Sequence, residues 1–311
     1  MDKIGIVGAG LIGRAWAIVF ARAGFPVALH DRSDAVLDAT FAAIDTSLAD
    51  LASAGLLAEA PAAVRARMSR AATVADAVGG AVHVQESLPE LPEVKREIFA
   101  VLDREAPPDA VLASSTSAIP GSSFTEGLAG RARCLVAHPV NPPHLVPVVE
   151  LCGAPWTSPE TIARTRALME RAGQVPVTVE REVEGFVLNR LQAALLNEAF
   201  RLIDSGVVSP ADLDKTIKDG LGLRWAFMGP METIDLNAPG GVVDYMQRYS
   251  PFFRRLDGEM KAAAPWRDAL ARDLEADRRR SVSADGLGAA QAWRDRRLMA
   301  LLAHKRKTDT L

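Results

Sequence analysis

The sequence predicts a doubly wound α/β domain built on a largely parallel sheet, followed by an all-helical domain. Three observations carry this. Apolar runs of strand length alternate with helical stretches as far as about residue 180. The first of these runs opens directly into a glycine-rich turn, Gly8-x-Gly10-x-x-Gly13. From Gly185 onward only helical patterns follow.

The elements follow in order. "KIGIV" (3–7) reads as a buried strand and 11–24 as a helix closed by Gly24; 26–31 is the next strand. The alanine-rich stretch 33–70 reads as two helices, with Gly55 ending the first and Pro61 near the start of the second. Strands over 81–87 and 110–116 flank a helix from about Glu90 to Ala106. "CLVAH" and "VPVVEL" are two further strands, then come a helix from Ser158 to Gly173 and a strand over 175–179. The boundary falls in "EREVEG" (180–185), giving domains 1–184 and 185–311. The second begins with a long helix that is apolar on most faces and expected to be buried. The next helix carries Ser209 as N-cap, Pro210 at the first helical position and Asp212 in the first turn.

Bulk composition excludes several classes. A chain of 311 residues with 49% hydrophobic and 24% charged residues has the make-up of a soluble globular protein of two domains. A net charge of −3 provides no field for nucleic acid or an anionic membrane. Cys134 and Cys152 alone make no disulfide framework and suit a reducing compartment. The apolar stretch after Lys3 is broken by Gly8, Gly10, Gly13 and Arg14, so it reads as strand, loop and helix rather than leader or span, and a cytoplasmic location is expected. Two cysteines and five scattered histidines offer no catalytic zinc spacing, so no metal is expected.

The glycine turn has a chemical purpose. Gly8 permits the sharp turn, Gly10 lets the backbone approach a pyrophosphate, and Gly13 brings helix and strand together. Leu11 and Ile12 open the helix, whose free N–H groups and dipole suit phosphates. Asp31 closes the second strand at the distance expected of a ribose-binding acid, which favours NAD over NADP; Arg32 beside it softens that preference. The domain therefore reads as a Rossmann-like NAD-binding domain.

The stretch "CLVAHPVNPPHLVPVVELCG" (134–153) holds four prolines in ten residues, so it must be extended chain through a turn. His138, Asn141 and Glu150 sit among its apolar residues. Ser117 and His138 fall at the strand edge where an open parallel sheet binds ligands. Glu150, on the returning strand, faces His138, and the two make a general base held in one tautomer. Ser117, His138 and Glu150 also suggest a hydrolase triad, but no G-x-S-x-G elbow surrounds Ser117. Asn141, in the proline turn, is a further candidate for contact with substrate.

"SSTS", "AHPVNPP", "VPVVEL" and "GFVLNRL" together resemble the 3-hydroxyacyl-CoA dehydrogenase superfamily over nearly the whole chain. Within it, "IVGAGLIGRAWAIVFA", "AHPVNPPHLVPVVEL", "GLGLRWAFMGPMETIDLNA" and the late "WRD" resemble the lambda-crystallin branch, which implies L-gulonate 3-dehydrogenase activity. The resemblance implies that His138 is the acid/base with Glu150 as its partner, and that Ser117 and Asn189 hydrogen-bond the reacting oxygen. It also implies that Glu90 and Lys95 contact the cofactor, whereas their own positions read equally as the first turn of an exposed helix. A homodimer through the helical domain is implied likewise.

Residues 33–64, where the acyl-CoA branch presents lysines, contain no lysine or arginine but have Asp34, Asp38, Asp45, Asp50 and Glu59; Arg65, Arg67 and Arg70 lie just beyond. A small 3-hydroxy acid such as L-gulonate is therefore the leading expectation. An L-3-hydroxyacyl-CoA is second and a carnitine-like acid third. Arg224 is either a clamp for a substrate carboxylate or a solvated surface arginine. A non-catalytic, crystallin-like role is the reading from another class, and it would not require Ser117, His138, Glu150 and Asn189 together.

Overall fold

A computed structural model describes residues 2–261 and 263–308. These form two compact units. One comprises the residues up to Asn189 together with those from Gln291 on, and the other spans Arg190–Ala290.

The first unit is built on an eight-stranded sheet of order β3-β2-β1-β4-β5-β6-β7-β8. Its strands are β1 (Lys3–Val7), β2 (Val27–His30), β3 (Met68–Arg70), β4 (Ala81–Glu86), β5 (Val111–Ser114), β6 (Cys134–Pro139), β7 (Val148–Gly153) and β8 (Val175–Val179). All neighbouring pairs are parallel except β6–β7. The helices are α1 (Leu11–Arg22), α2 (Asp34–Ser53), α3 (Pro61–Arg65), α4 (Val74–Val78), α5 (Pro92–Glu105), α6 (Ser122–Thr125) and α7 (Pro159–Arg171). The doubly wound expectation holds. Three pieces differ from it, since β3 stands where the sequence pattern gave the end of a second helix, and α4 and α6 stand in chain it left unassigned. Each is three to five residues long, too short for a hydrophobic period to show.

The core explains the sequence pattern. Helix α1 buries every residue from Ala15 to Ala21, with Trp16 stacked on Phe20 at 5.4 Å, and ends where Gly24 takes φ +92°. Burial of such side chains stabilises by about 1.5–3 kcal/mol each. Cys134 and Cys152 are free, and burial, the larger cause, pushes both thiols up to about 12, which keeps them protonated and unreactive.

The second unit is helical. Helix α8 (Leu188–Asp204) leads into it, followed by α9 (Pro210–Lys215), α10 (Gly222–Trp225), α11 (Pro230–Leu236), α12 (Gly241–Glu259) and α13 (Asp268–Ser281). Ser209 caps α9 as expected, its side chain accepting the Asp212 N–H at 3.1 Å. The expectation of a buried α8 fails: only Ala199 of it is buried, and Leu191 is 65% exposed. A second departure concerns 291–308, expected in the helical domain. These residues belong to α14 (Leu287–Thr308), whose Met299 is buried in the sheet-domain core, with Leu298, Leu302 and Ala303 packed against it. Apolar residues at 298, 299, 302 and 303 are the i, i+1, i+4, i+5 stripe that a helix buries on one face.

Candidate active site

The glycine turn fits a dinucleotide. Gly8 has φ +98° and donates its N–H to the His30 carbonyl at 2.9 Å. A Cβ on Gly13 would lie 1.9 Å from the Gly8 carbonyl oxygen, whereas one on Gly10 would meet nothing within 4 Å. The turn is thus tight inside and bare outside, where a pyrophosphate must approach. Gly10 is the N-cap of α1 and offers no side-chain hydrogen bond, so the first N–H groups of the helix remain for an anion. Leu11 is 55% exposed beside this face, and Ile12 packs on the core. Asp31 accepts the Ala9 N–H at 2.9 Å through one oxygen and the Ser33 N–H at 3.2 Å through the other. Each oxygen keeps lone-pair capacity for ribose hydroxyls.

The β6–β7 ladder places His138 directly opposite Glu150. Opposed residues of an antiparallel pair point to one face, so the side chains meet without further design. His138 Nδ1 lies 2.8 Å from Glu150 Oε2, and the two side chains are 6% and 3% exposed. The other oxygen, Oε1, accepts the backbone N–H groups of Val187 at 2.9 Å and Leu188 at 3.0 Å. These donors open α8, so three hydrogen bonds and a helix N-terminus hold the carboxylate. Phe186 completes the arrangement: buried and at φ +48°, it turns the chain into α8, and its ring lies 5.5 Å from the imidazole. With Nδ1–H directed at Glu150, Nε2 carries the lone pair.

Ser117 stands exposed just past β5. One oxygen of Glu90 accepts from the Thr116 hydroxyl at 2.5 Å and from the N–H groups of Ser117 at 2.9 Å and Ala118 at 3.0 Å. Partial burial would raise the Glu90 pKa, but the hydrogen bonds from Thr116, Ala118 and Ser117 and the charge of Lys95 outweigh it and hold it below the usual carboxylate range. Asn189 donates its side-chain N–H to the Ser117 carbonyl at 2.7 Å. Glu90 and Asn189 thus fix the Ser117 loop from two sides.

Lys95, expected at the cofactor, is 1% exposed. Its ammonium donates to both oxygens of the buried Glu86, at 2.8 and 2.9 Å, and to the Leu88 carbonyl at 3.0 Å, and lies 4.0 Å from Glu90. Its three protons already have protein acceptors, the geometry of an internal ion pair beneath the loops. Glu86 also accepts the Ser114 hydroxyl at 2.6 Å. Sequence reasoning missed Glu86 and Gln85, and the available signal was the polar run "QES" ending an apolar strand at the ligand-binding edge. Gln85 donates its side-chain N–H to Ser115 Oγ at 2.7 Å and accepts from His83 Nε2 through Oε1 at 3.0 Å, tying β4 to the chain just past β5. Asn141 is exposed and lines a cavity of about 180 Å³ near Leu11 and His144. Arg224 is exposed on α10 of the second unit and is not among the residues the first unit gathers. Among the described residues no cluster of three or more His, Cys, Asp or Glu could hold a metal ion, and no helix is long and apolar enough to cross a membrane.

Residues 3–183 match the family model described as 3-hydroxyacyl-CoA dehydrogenase, NAD binding domain, and residues 185–279 match 3-hydroxyacyl-CoA dehydrogenase, C-terminal domain. Lambda-crystallin of Oryctolagus cuniculus is 42% identical over 306 residues, covering 97% of this chain and 96% of its own. A 3-hydroxyacyl-CoA dehydrogenase of Gibberella moniliformis is 35% identical over 313 residues, covering 99% and 96%. The solved structure of 5-formyl-3-hydroxy-2-methylpyridine 4-carboxylic acid 5-dehydrogenase, an NAD+-dependent dismutase, superimposes with a TM-score of 0.83 at 28% identity, covering 97% of each chain.

Proposed function

The chain belongs to the 3-hydroxyacyl-CoA dehydrogenase family of NAD-dependent oxidoreductases, and from that premise we propose that it oxidises the 3-hydroxyl of a small free hydroxy acid, L-gulonate foremost, to the 3-keto acid. The observation that carries the choice of substrate is the charge state around α2. The three arginines that could meet the phosphates of coenzyme A are already answered by the acids of that region. Arg65 pairs with Asp45 at 3.1 Å, Arg67 with Glu59 at 2.5 Å and Arg70 with Asp38 at 2.5 Å. Arg65 and Arg70 also lie over the Phe41 ring, at 4.2 and 5.2 Å. A polyanionic thioester would have to break these contacts and face unpaired carboxylates, whereas a free acid makes no such demand.

The glycine turn (Gly8, Gly10 and Gly13) and Asp31 would hold NAD, which when bound would supply the hydride acceptor. His138 Nε2 takes the hydroxyl proton as the C–H bond breaks, and Glu150 stabilises the imidazolium that forms. The N–H groups of Val187 and Leu188 fix the carboxylate in place. Ser117 and Asn189 orient the reacting oxygen, with Glu90 holding the Ser117 loop. In the second unit Phe227, Met231, Leu236 and Val243 are each more than 60% exposed, and a second copy of the chain is their proposed cover. Light scattering at micromolar concentration should report a dimer; a monomer there would discard this assembly.

The test is NADH formation by the purified protein with NAD and, in parallel, L-gulonate, L-3-hydroxybutyryl-CoA and L-carnitine. Turnover of gulonate well above the others is expected. Preference for the thioester would overturn the substrate class and leave the His138–Glu150 chemistry standing.

A further inference from the structure

The family model for the C-terminal domain stops at residue 279, yet the chain continues into α14, which returns to the sheet unit. Where it packs, it closes a cavity of about 180 Å³ against the first turns of α1, the second half of α2 and the proline turn after β6. Polar groups of every kind line it, with Arg14 from α1, Asp50 from α2, Asn141 and His144 from the turn, and Gln291 and Asp295 from α14. His144 is 8% exposed, and its Nδ1 has no hydrogen-bond partner among the described residues. A buried imidazole nitrogen left unpaired on a cavity wall is a group waiting for a ligand atom.

Position ties this cavity to the reaction. Leu11, on its wall, opens the helix that follows the glycine turn, and Asn141 stands three residues beyond His138, so at most about 10 Å along the chain. The lining chooses the ligand. Asp50 and Asp295 are largely offset by Arg14, Arg294 and Arg296 on the same wall, with Arg294 paired to Asp295 at 2.7 Å, while carboxamides, carboxylates, guanidinium and imidazole together both donate to and accept from hydroxyl groups. The size excludes a nucleotide, since the cavity is smaller than the roughly 300 Å³ at which pockets for drug-sized ligands begin.

We propose that this cavity is the subsite for the hydroxylated tail, C4 onward, of the acid substrate, and that α14 supplies the specificity for a sugar acid. The proposal rests on the functional reading above. It makes Gln291 and Asp50, both exposed at the rim and remote in sequence from the His138–Glu150 pair, specificity-determining residues.

Steady-state kinetics of Gln291→Leu and Asp50→Leu, with Asp50→Asn as a size-conserving companion should the leucine variant lose thermal stability, test this. L-3-hydroxybutyrate, which has no hydroxyl beyond C3, serves as the tail-less probe through its inhibition constant against L-gulonate. KM for gulonate should rise about tenfold, the loss of one or two hydrogen bonds. Turnover number, KM for NAD and the inhibition constant of the four-carbon acid should stay within about twofold. An unchanged KM for gulonate, or an equal weakening of both acids, overturns the subsite. Failure of the unaltered protein to oxidise gulonate at all sinks the functional reading, and this inference with it, and is read from the wild-type arm alone.

Discussion

Leu188 and His138 are joined through opposite oxygens of one carboxylate: Glu150 accepts the backbone N–H of Leu188 at 3.0 Å with Oε1 and faces His138 Nδ1 at 2.8 Å with Oε2. The entry of α8 and the proposed acid/base therefore share one anchor. Glu150→Gln replaces one acceptor oxygen by a donor and leaves the imidazole without its tautomer-fixing partner. Turnover should fall by about 10³–10⁴-fold, as for the corresponding carboxylate of a catalytic triad, while NADH affinity by fluorescence titration stays within about twofold. Wild-type turnover in this variant would remove the pair from the mechanism.

Asp31 holds the glycine turn and faces the expected ribose position. In Asp31→Ser the ratio of kcat/KM for NAD over NADP should drop by about 10- to 100-fold, the value of one or two charge-assisted hydrogen bonds. An unchanged ratio would leave Asp31 with the turn and nothing else.

Lys95→Met distinguishes an internal ion pair from a cofactor contact. Glu86 would be left buried and unpaired, a loss of about 3–5 kcal/mol. The melting temperature of the protein without NAD should therefore fall, with the further rise on adding NAD preserved. The reverse pattern, normal stability and no rise with NAD, would place Lys95 at the cofactor.

His83 is fully buried, and desolvation, the larger cause, lowers its pKa to about 4 despite the hydrogen bond it donates to the Gln85 side-chain oxygen. The unfolded chain takes up this proton below about pH 6.5 while the folded protein does not, so stability falls as pH drops from 6.5 towards 4. The contribution is about 3 kcal/mol in all. Urea melts across this window should show a slope shallower by one proton in His83→Gln; parallel slopes would refute the burial argument.

What the sequence made legible was whatever depends on period, punctuation or chemistry at a known edge. The glycine turn, Asp31 and the proline-bounded pair carrying His138 and Glu150 all announce themselves in this way, and each stands where the pattern put it. Glu86 and Lys95 did not, because a charged residue reads as surface and burial of such a pair depends on both partners arriving from different elements. Phe186 gave no signal either, since its positive φ is imposed by what it packs on. The apolar face of α8 was read as core, yet hydrophobicity alone does not say whether one's own chain or another covers a face.

Helix α14 also bears on how the protein is made. The sheet unit receives Met299 only after the stretch from Arg190 to Ala290 has been synthesised, about 5–20 s later at ~5–20 residues per second. During that interval nascent chains carry an apolar seat in the core of the sheet unit that nothing of their own yet fills. A fragment ending at Ala290 should bind a hydrophobic dye that the whole chain ignores. On the ribosome this seat would be open to chaperones, and completion of the nucleotide-binding unit would wait for translation to pass residue 299.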